Sequence, residues 1–321
     1  MPDYSEILSA NVGHYLEKVW DWHAFPSNEG YPELDRAQMR YVGSGGSPKT
    51  DDRTTLRPGA FTCSLIYQEP GHRASTHHHQ IEELFFVHRG QLTMTWQFGD
   101  ECVDFIVGPG DAILNPRGRP HGFRNDGPDD CVMQIMVATA APMLPTYTDH
   151  PSEFTVSPLN AAPAARIPGY MAEIEKYLAR AADVKPIATA VEGGTVTVSP
   201  YMMARDLGGI VEPAHFTFAI HRLSRGAVTP VYQRNVEEAF MIVDGVVEVE
   251  IGEGEDVAVE RLGARDLALV PAGVSRRLRN VDAGIGTVAS IVGSAETTPV
   301  AWNDTSVKAS GVAYGSLGGS A

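Results

Sequence analysis

The feature of this 321-residue sequence that does most to restrict its fold is a repeated strand-like texture. Between Ala60 and Ala140, short runs of β-branched and aromatic residues (FTCSLIYQ, ELFFVHRG, LTMTWQF, VDFIV, AILNP, CVMQIMVA) alternate with turn pairs such as PG, RG, GD and DG. The texture returns between Thr195 and Val292 (TVTVS, HFTFAIHRL, EEAFMIV, VVEVEIG, VAVERL, LALVPAG, TVASIV). Many short strands at close spacing predict an all-β sandwich or barrel. In both stretches a strand that opens on Glu-Glu leads into a glycine turn, so the chain reads as two copies of one β module.

Other textures surround the modules. Ile7, Leu8, Val12, Tyr15, Leu16, Val19 and Trp20 recur at helical spacing, which predicts a short amphipathic helix within residues 4–20. Residues 24–58 are rich in Gly, Pro, Asp and Ser and read as loop, clearest in GSGGSPKTDD at 43–52. Residues 141–168 are a Pro- and Ala-rich connector, and YMAEIEKYLARAADV at 170–184 predicts an inter-domain helix. The expected division is an N-terminal extension at 1–56, a first barrel at 57–140, a linker at 141–194 carrying the helix 170–184, a second barrel at 195–295 and a frayed tail at 296–321.

Composition narrows the partners. Lys plus Arg number 25 against 40 Asp plus Glu, a net charge of −15. Such a chain repels phosphate backbones, and no basic run offers a local exception, so no nucleic-acid partner is expected. No stretch of about 18 apolar residues is present, so no membrane span is expected. Asp3 and Glu6 stand where a secretory signal has a basic segment and an apolar run. Cys63, Cys102 and Cys131 are odd in number and lack CxxC spacing, which fits a reducing cytoplasm.

The residues suited to chemistry gather in the first module. Gly71 and His77 are separated by five residues, His77 and His79 by one, His79 and Glu83 by three, and Glu83 and Gly90 by six. A second block contains Gly110, Pro116, Gly118, His121 and Asn125. Side chains alternate faces along a strand, so His77 and His79 project to one side while His78 projects outward. A short turn lets Glu83 open the neighbouring strand, with Phe85 and Val87 on its face, and His121 comes from a later strand beside Phe123 and Asn125. Three imidazoles and a carboxylate converging inside a barrel suit Fe(II), Mn, Ni, Cu or Zn, with one or two positions open for substrate.

Both blocks match, gap for gap, the two signature motifs of the cupin superfamily, and with its repeat the chain resembles a bicupin. The resemblance implies two double-stranded β-helix (jelly-roll) barrels, with the short N-terminal helix and the inter-domain helix outside them. It assigns the metal to His77, His79, Glu83 and His121. The second module keeps the spacing in Gly226, Tyr232, Arg234, Glu238 and Gly245, then Pro271, Gly273, Arg276 and Asn280. Tyr232, Arg234 and Arg276 stand where histidines belong, and an always-cationic Arg cannot ligate a metal. Two guanidiniums beside Glu238 carry the net charge of a divalent ion beside one carboxylate. The second site is therefore expected to be degenerate and structural, with Arg234 or Arg276 pairing Glu238 in place of the ion.

The run EELFFVHRG, followed by FGDECVDFIVGPGDAILNPRG, resembles homogentisate dioxygenases. The use of an N-terminal barrel resembles gentisate dioxygenases, and the three-His-plus-Glu set resembles quercetin dioxygenases. These likenesses imply an Fe(II)-dependent dioxygenase that combines O2 with a small aromatic, phenolic or enolic substrate, Glu83 serving as fourth ligand or as base. The alternative is a non-oxidative metal-dependent lyase, decarboxylase, isomerase or cyclase in which Glu83 shuttles protons; a third reading is a ligand-binding cupin without catalysis. Phe85, Phe123 and Trp96 are expected to line the substrate pocket, with Gln134 as a substrate-orienting group. Exposed sheet edges predict a homodimer.

Overall fold

The computed structural model describes residues 2–141, 144–153 and 168–296, with 301–302 described as backbone. Nearly all regular structure is antiparallel strand, and the chain forms two compact units, residues 19–183 and residues 1–18 together with 184–321. A short helix, α1 (Tyr4–Ser9), and β1 (Val12–Gly13) come first.

The unit 19–183 is a barrel of two sheets. Its strands are β2 (Ala37–Val42), β3 (Thr62–Gln68), β4 (Arg73–His78), β5 (Glu83–Arg89), β6 (Leu92–Phe98), β7 (Glu101–Val107), β8 (Ala112–Asn115), β9 (His121–Arg124), β10 (Cys131–Val137), β11 (Thr146–Tyr147) and β12 (Leu178–Ala179). One sheet has the order β12-β8-β5-β10-β3-β2 and the other β11-β4-β9-β6-β7. Inward residues of both sheets, among them Ile66, Phe85, Val87, Met94, Trp96, Phe105, Phe123 and Met133, form one buried cluster. Their alternation with residues of the opposite face is the period of two that the sequence carries.

The other unit repeats the plan. It contains β13 (Ile187–Val191), β14 (Gly194–Met202), β15 (Thr217–Leu223), β16 (Tyr232–Gln233), β17 (Glu238–Asp244), β18 (Val247–Glu253), β19 (Asp256–Leu262), β20 (Leu267–Val270), β21 (Arg276–Asn280), β22 (Gly286–Val292) and β23 (Ala301–Trp302). Its sheets run β1-β20-β17-β22-β15-β14-β13 and β19-β18-β21-β16-β23. The order β8-β5-β10-β3-β2 thus recurs as β20-β17-β22-β15-β14, and β4-β9-β6-β7 as β16-β21-β18-β19. The repeat extends to side chains. Asn125 Nδ2 donates to the carbonyls of Gln68 and Asp129, and Asn280 Nδ2 donates to those of Leu223 and Gly284. Gly90 and Gly245, after the matching strands β5 and β17, both have left-handed φ, +76° and +82°. A Cβ at Gly90 would also run into the Asp130 carbonyl oxygen, so the turn admits only glycine without strain.

Three expectations about boundaries are corrected. The N-terminal helix ends at Ser9, short of Trp20: Asn11 turns its amide back to the Ile7 carbonyl, and Val12–Gly13 pair with β20. Leu16 and Val19, which the helical stripe would bury, are 93% and 73% exposed. The expected extension 1–56 is divided, since residues 1–18 belong with the second barrel and β2 lies inside the first. The inter-domain helix is shorter, α2 (Pro168–Ile174), because Leu178–Ala179 add to the edge of β8 and bury Ile174 and Leu178 in the first barrel's core. The expected tail lies largely outside the described residues. No helix among the described residues is long and apolar enough to cross a membrane.

Candidate metal centre

A bulge builds the site. β4 pairs with β9 as Ala74 opposite Phe123 and His77 opposite His121, with a register shift between. Ala74 and His77 are an odd number of residues apart, and the bulge lets both face the barrel interior. His79 follows at the end of the strand, where the Gly118 amide donates to its carbonyl across 2.8 Å. Glu83 opens β5 on the facing sheet, opposite Asn115 of β8.

His77, His79 and Glu83 are buried, and one ligand atom from each lies within 4.8 Å of the others, a spacing that could hold a metal ion. His121 joins them through Glu83, its Nε2 3.0 Å from Oε2, while His79 Nε2 is 3.7 Å from the same oxygen. The His77 and His121 ring centroids are 4.7 Å apart. His77 Nδ1 donates to the Ser75 carbonyl at 2.7 Å and His121 Nδ1 to the Arg119 carbonyl at 2.8 Å. A carbonyl only accepts, so both Nδ1 atoms carry hydrogen and both Nε2 atoms are turned to the interior, the orienting contact that metal-binding imidazoles use.

Electrostatics matches this donor set. Burial first, then the neighbouring His121 and His79, pushes His77 well below the ordinary imidazole range, so its ring is neutral. Burial works against the Glu83 carboxylate, but His79, His121 and Arg36 outweigh it and hold the carboxyl below its usual value. A neutral His77 beside an ionised Glu83 is what a divalent cation requires of them, and the imidazole and carboxylate donors present fit such an ion.

A cavity opens onto this cluster, lined by Phe85 and Phe123 and also by Phe25, Arg36, Gln38, Thr62, Ile135 and Tyr147. Phe85 and Phe123 meet edge to face at 5.3 Å. Trp96 is a correction. It lies opposite His121 in the sheet, but its ring turns into the core against Phe105 and Tyr177 and its Nε1 donates to Asn115 at 2.9 Å. Gln134 is another, since its inward neighbour Ile135 lines the cavity while Gln134 bonds His88 and Cys63. Arg36 and Tyr147 were missed because they lie outside the motif blocks. Tyr147 reaches the cavity through β11, paired with β4 as Tyr147 opposite His77, and Asp149 beyond it is fully buried, accepting from the Thr76 amide and hydroxyl and from Arg73.

In the second barrel the equivalent carboxylate is saturated by protein donors. Glu238 Oε2 accepts from Tyr232 Oη at 3.0 Å, Arg234 Nε at 3.1 Å and Arg276 Nη1 at 3.4 Å, and Oε1 from Ser290 at 3.0 Å. Arg276 also donates to the carbonyls of Val270, Pro271 and Val274. Burial opposes the Glu238 charge, and Arg234 and Arg276 overcome it, holding the carboxyl below its ordinary value. Ser290 and His221, both buried here, carried no motif signal.

Two jelly-roll barrels, one with a His-and-Glu cluster at its centre, define the class of protein. Residues 64–138 match the family model for the Cupin domain. That match covers most of the strands of the first barrel, and the second barrel repeats their order. No curated protein sequence matches the chain. Among solved structures it is similar to a Lactobacillus farciminis oxalate decarboxylase in a formate complex (TM-score 0.62, 13% identity, covering 89% of this chain and 86% of that one). It is also similar to Bacillus subtilis oxalate decarboxylase studied for its Mn(II) centres (0.63, 14%, 91% and 79%). Hazelnut (Corylus avellana) vicilin has the same fold (0.58, 13%, 89% and 86%).

Proposed function

We propose that the protein is a divalent-metal-dependent enzyme of the non-oxidative kind, a lyase, decarboxylase or isomerase, working in the N-terminal barrel. The observation that carries this reading is the buried His77, His79 and Glu83 cluster with His121 attached through Glu83. His77, His79 and His121 would hold the ion through Nε2, and Glu83 would ligate it or act on substrate. When bound, the ion supplies Lewis acidity toward a carbonyl or carboxylate oxygen. Glu83, ionised and inside the cavity, is the group able to take a proton from substrate and return it. Phe85 and Phe123 exclude water from the reacting atoms. The likeness to oxalate decarboxylases supports this reading over the ring-cleaving oxygenase, and the Mn(II) centres of the Bacillus subtilis enzyme make Mn(II) the first ion to load.

Oxygen dependence tests the proposal. Protein loaded separately with Mn(II) and Fe(II) is screened on small carboxylic and enolic substrates with and without air. Turnover that continues anaerobically is the expected result. Turnover that stops without O2 and consumes it in step with product would overturn the non-oxidative reading and restore the dioxygenase.

A further inference from the structure

Arg36 lies just before β2, outside both motif blocks, and brings a guanidinium into the cavity over the His-and-Glu cluster. It is 6% exposed. Its Nη1 donates to the Leu34 carbonyl at 3.2 Å and its plane lies over Phe25 at 4.1 Å and nearer the rim of reach of Phe123 at 5.8 Å. Among the described residues no carboxylate lies within ion-pair distance of it. The other buried arginines are all paired, Arg40 with Asp21 and Asp52, Arg234 and Arg276 with Glu238. A buried charge with no direct ion pair, held only by the longer-range attraction of Glu83, is costly, and aromatic faces offset only part of that cost. Burial lowers Arg36 to about 10, which leaves it cationic at neutral pH.

Two further groups in the same cavity lack hydrogen-bond partners: Gln38 Oε1 and Thr62 Oγ1, on residues 3% and 1% exposed. Both residues line the cavity together with Arg36 and Gly45. With Glu83 engaged by a divalent ion, the pocket carries the charge of that ion and of Arg36 against one carboxylate. Such a pocket selects an anion.

We infer that Arg36 is the specificity residue for a carboxylate on the substrate, a small organic acid whose carboxylate meets the guanidinium while a hydroxyl or similar donor beside it meets Gln38. A guanidinium offers parallel N–H donors that match a carboxylate, and a charge-assisted pair is about twice as strong as a neutral hydrogen bond. The inference rests on the cavity being the substrate site, as proposed above, and names the class of substrate.

Binding of benzoate and of its uncharged isostere benzamide tests it by calorimetry, on Mn(II)-loaded and metal-free protein. Wild type is expected to prefer benzoate by about tenfold or more. In Arg36→Gln the preference should fall to near unity with Mn(II) still bound, and Arg36→Lys should keep part of it. Equal affinity of wild type for the two probes, failure to bind either, or a preference unchanged in Arg36→Gln overturns the inference. The metal reading fails separately: an Arg36-dependent benzoate preference in protein that takes up no Mn(II) would keep Arg36 and remove the ion.

Discussion

His121 Nε2 lies 3.0 Å from Glu83 Oε2. At the matching place in the second barrel, Arg276 aims Nη1 at Glu238 Oε2 across 3.4 Å. The two barrels therefore present one carboxylate at one point of the same scaffold and differ in what faces it. Imidazoles leave room for a cation, whereas guanidiniums bring the positive charge covalently. A buried carboxylate needs one or the other.

Arg276→Ala should accordingly damage stability and spare the first barrel. It leaves Glu238 with one guanidinium and removes donors to Val270, Pro271 and Val274. Breaking a buried ion pair from one side costs about 3–5 kcal/mol. Urea denaturation should show a loss of that order with the metal content unchanged. A loss below about 1 kcal/mol, as for an exposed pair, would contradict the structural role of the second barrel.

His221 should make the protein acid-labile. Burial chiefly holds this imidazole down to about 4, with Arg234 adding to burial and Glu238 opposing. The unfolded chain titrates near the ordinary 6.5, so below that pH it binds a proton the folded barrel refuses. Stability from His221 is full above 6.5 and is lost as pH falls from 6.5 toward 4, by about 3 kcal/mol in all. His221→Gln should flatten the fall in denaturation midpoint across that window, and an unchanged slope would show that the folded and unfolded states bind this proton alike.

Gly90→Ala should cost about 1–3 kcal/mol, because the alanine would hold φ +76° and press on the Asp130 carbonyl. Gly71 is the contrasting case. It has φ +82° with nothing near its Cβ position, so Gly71→Ala should cost less. Thermal denaturation of the two variants side by side checks the order.

The strands and the repeat are legible because strand texture and turn glycines are local, whereas the bulge between Ala74 and His77 that turns His77 inward is not. What escaped depended on contacts distant in sequence. The helical stripe at 4–20 gave way to sheet pairing of Val12–Gly13 with β20. The expectation that Trp96 lines the pocket rests on residue type, which does not say that its ring turns toward Asn115. Gln134, expected to orient substrate, instead finds partners in Cys63 and His88 on the two neighbouring strands, contacts distant in sequence. Arg36 lies in a stretch read as loop, and only the fold brings it to the cluster.

The central claim is that His77, His79, Glu83 and His121 hold one divalent ion. Elemental analysis of wild type, His121→Ala and Arg276→Ala, purified in parallel from cells supplied with manganese and iron, tests it most directly. Wild type and Arg276→Ala should carry about one divalent ion per chain, and His121→Ala, folded by circular dichroism, should carry far less, since loss of even a supporting contact to such a site costs about 10–100-fold in affinity. Metal absent from wild type, or held equally by His121→Ala, would contradict the account.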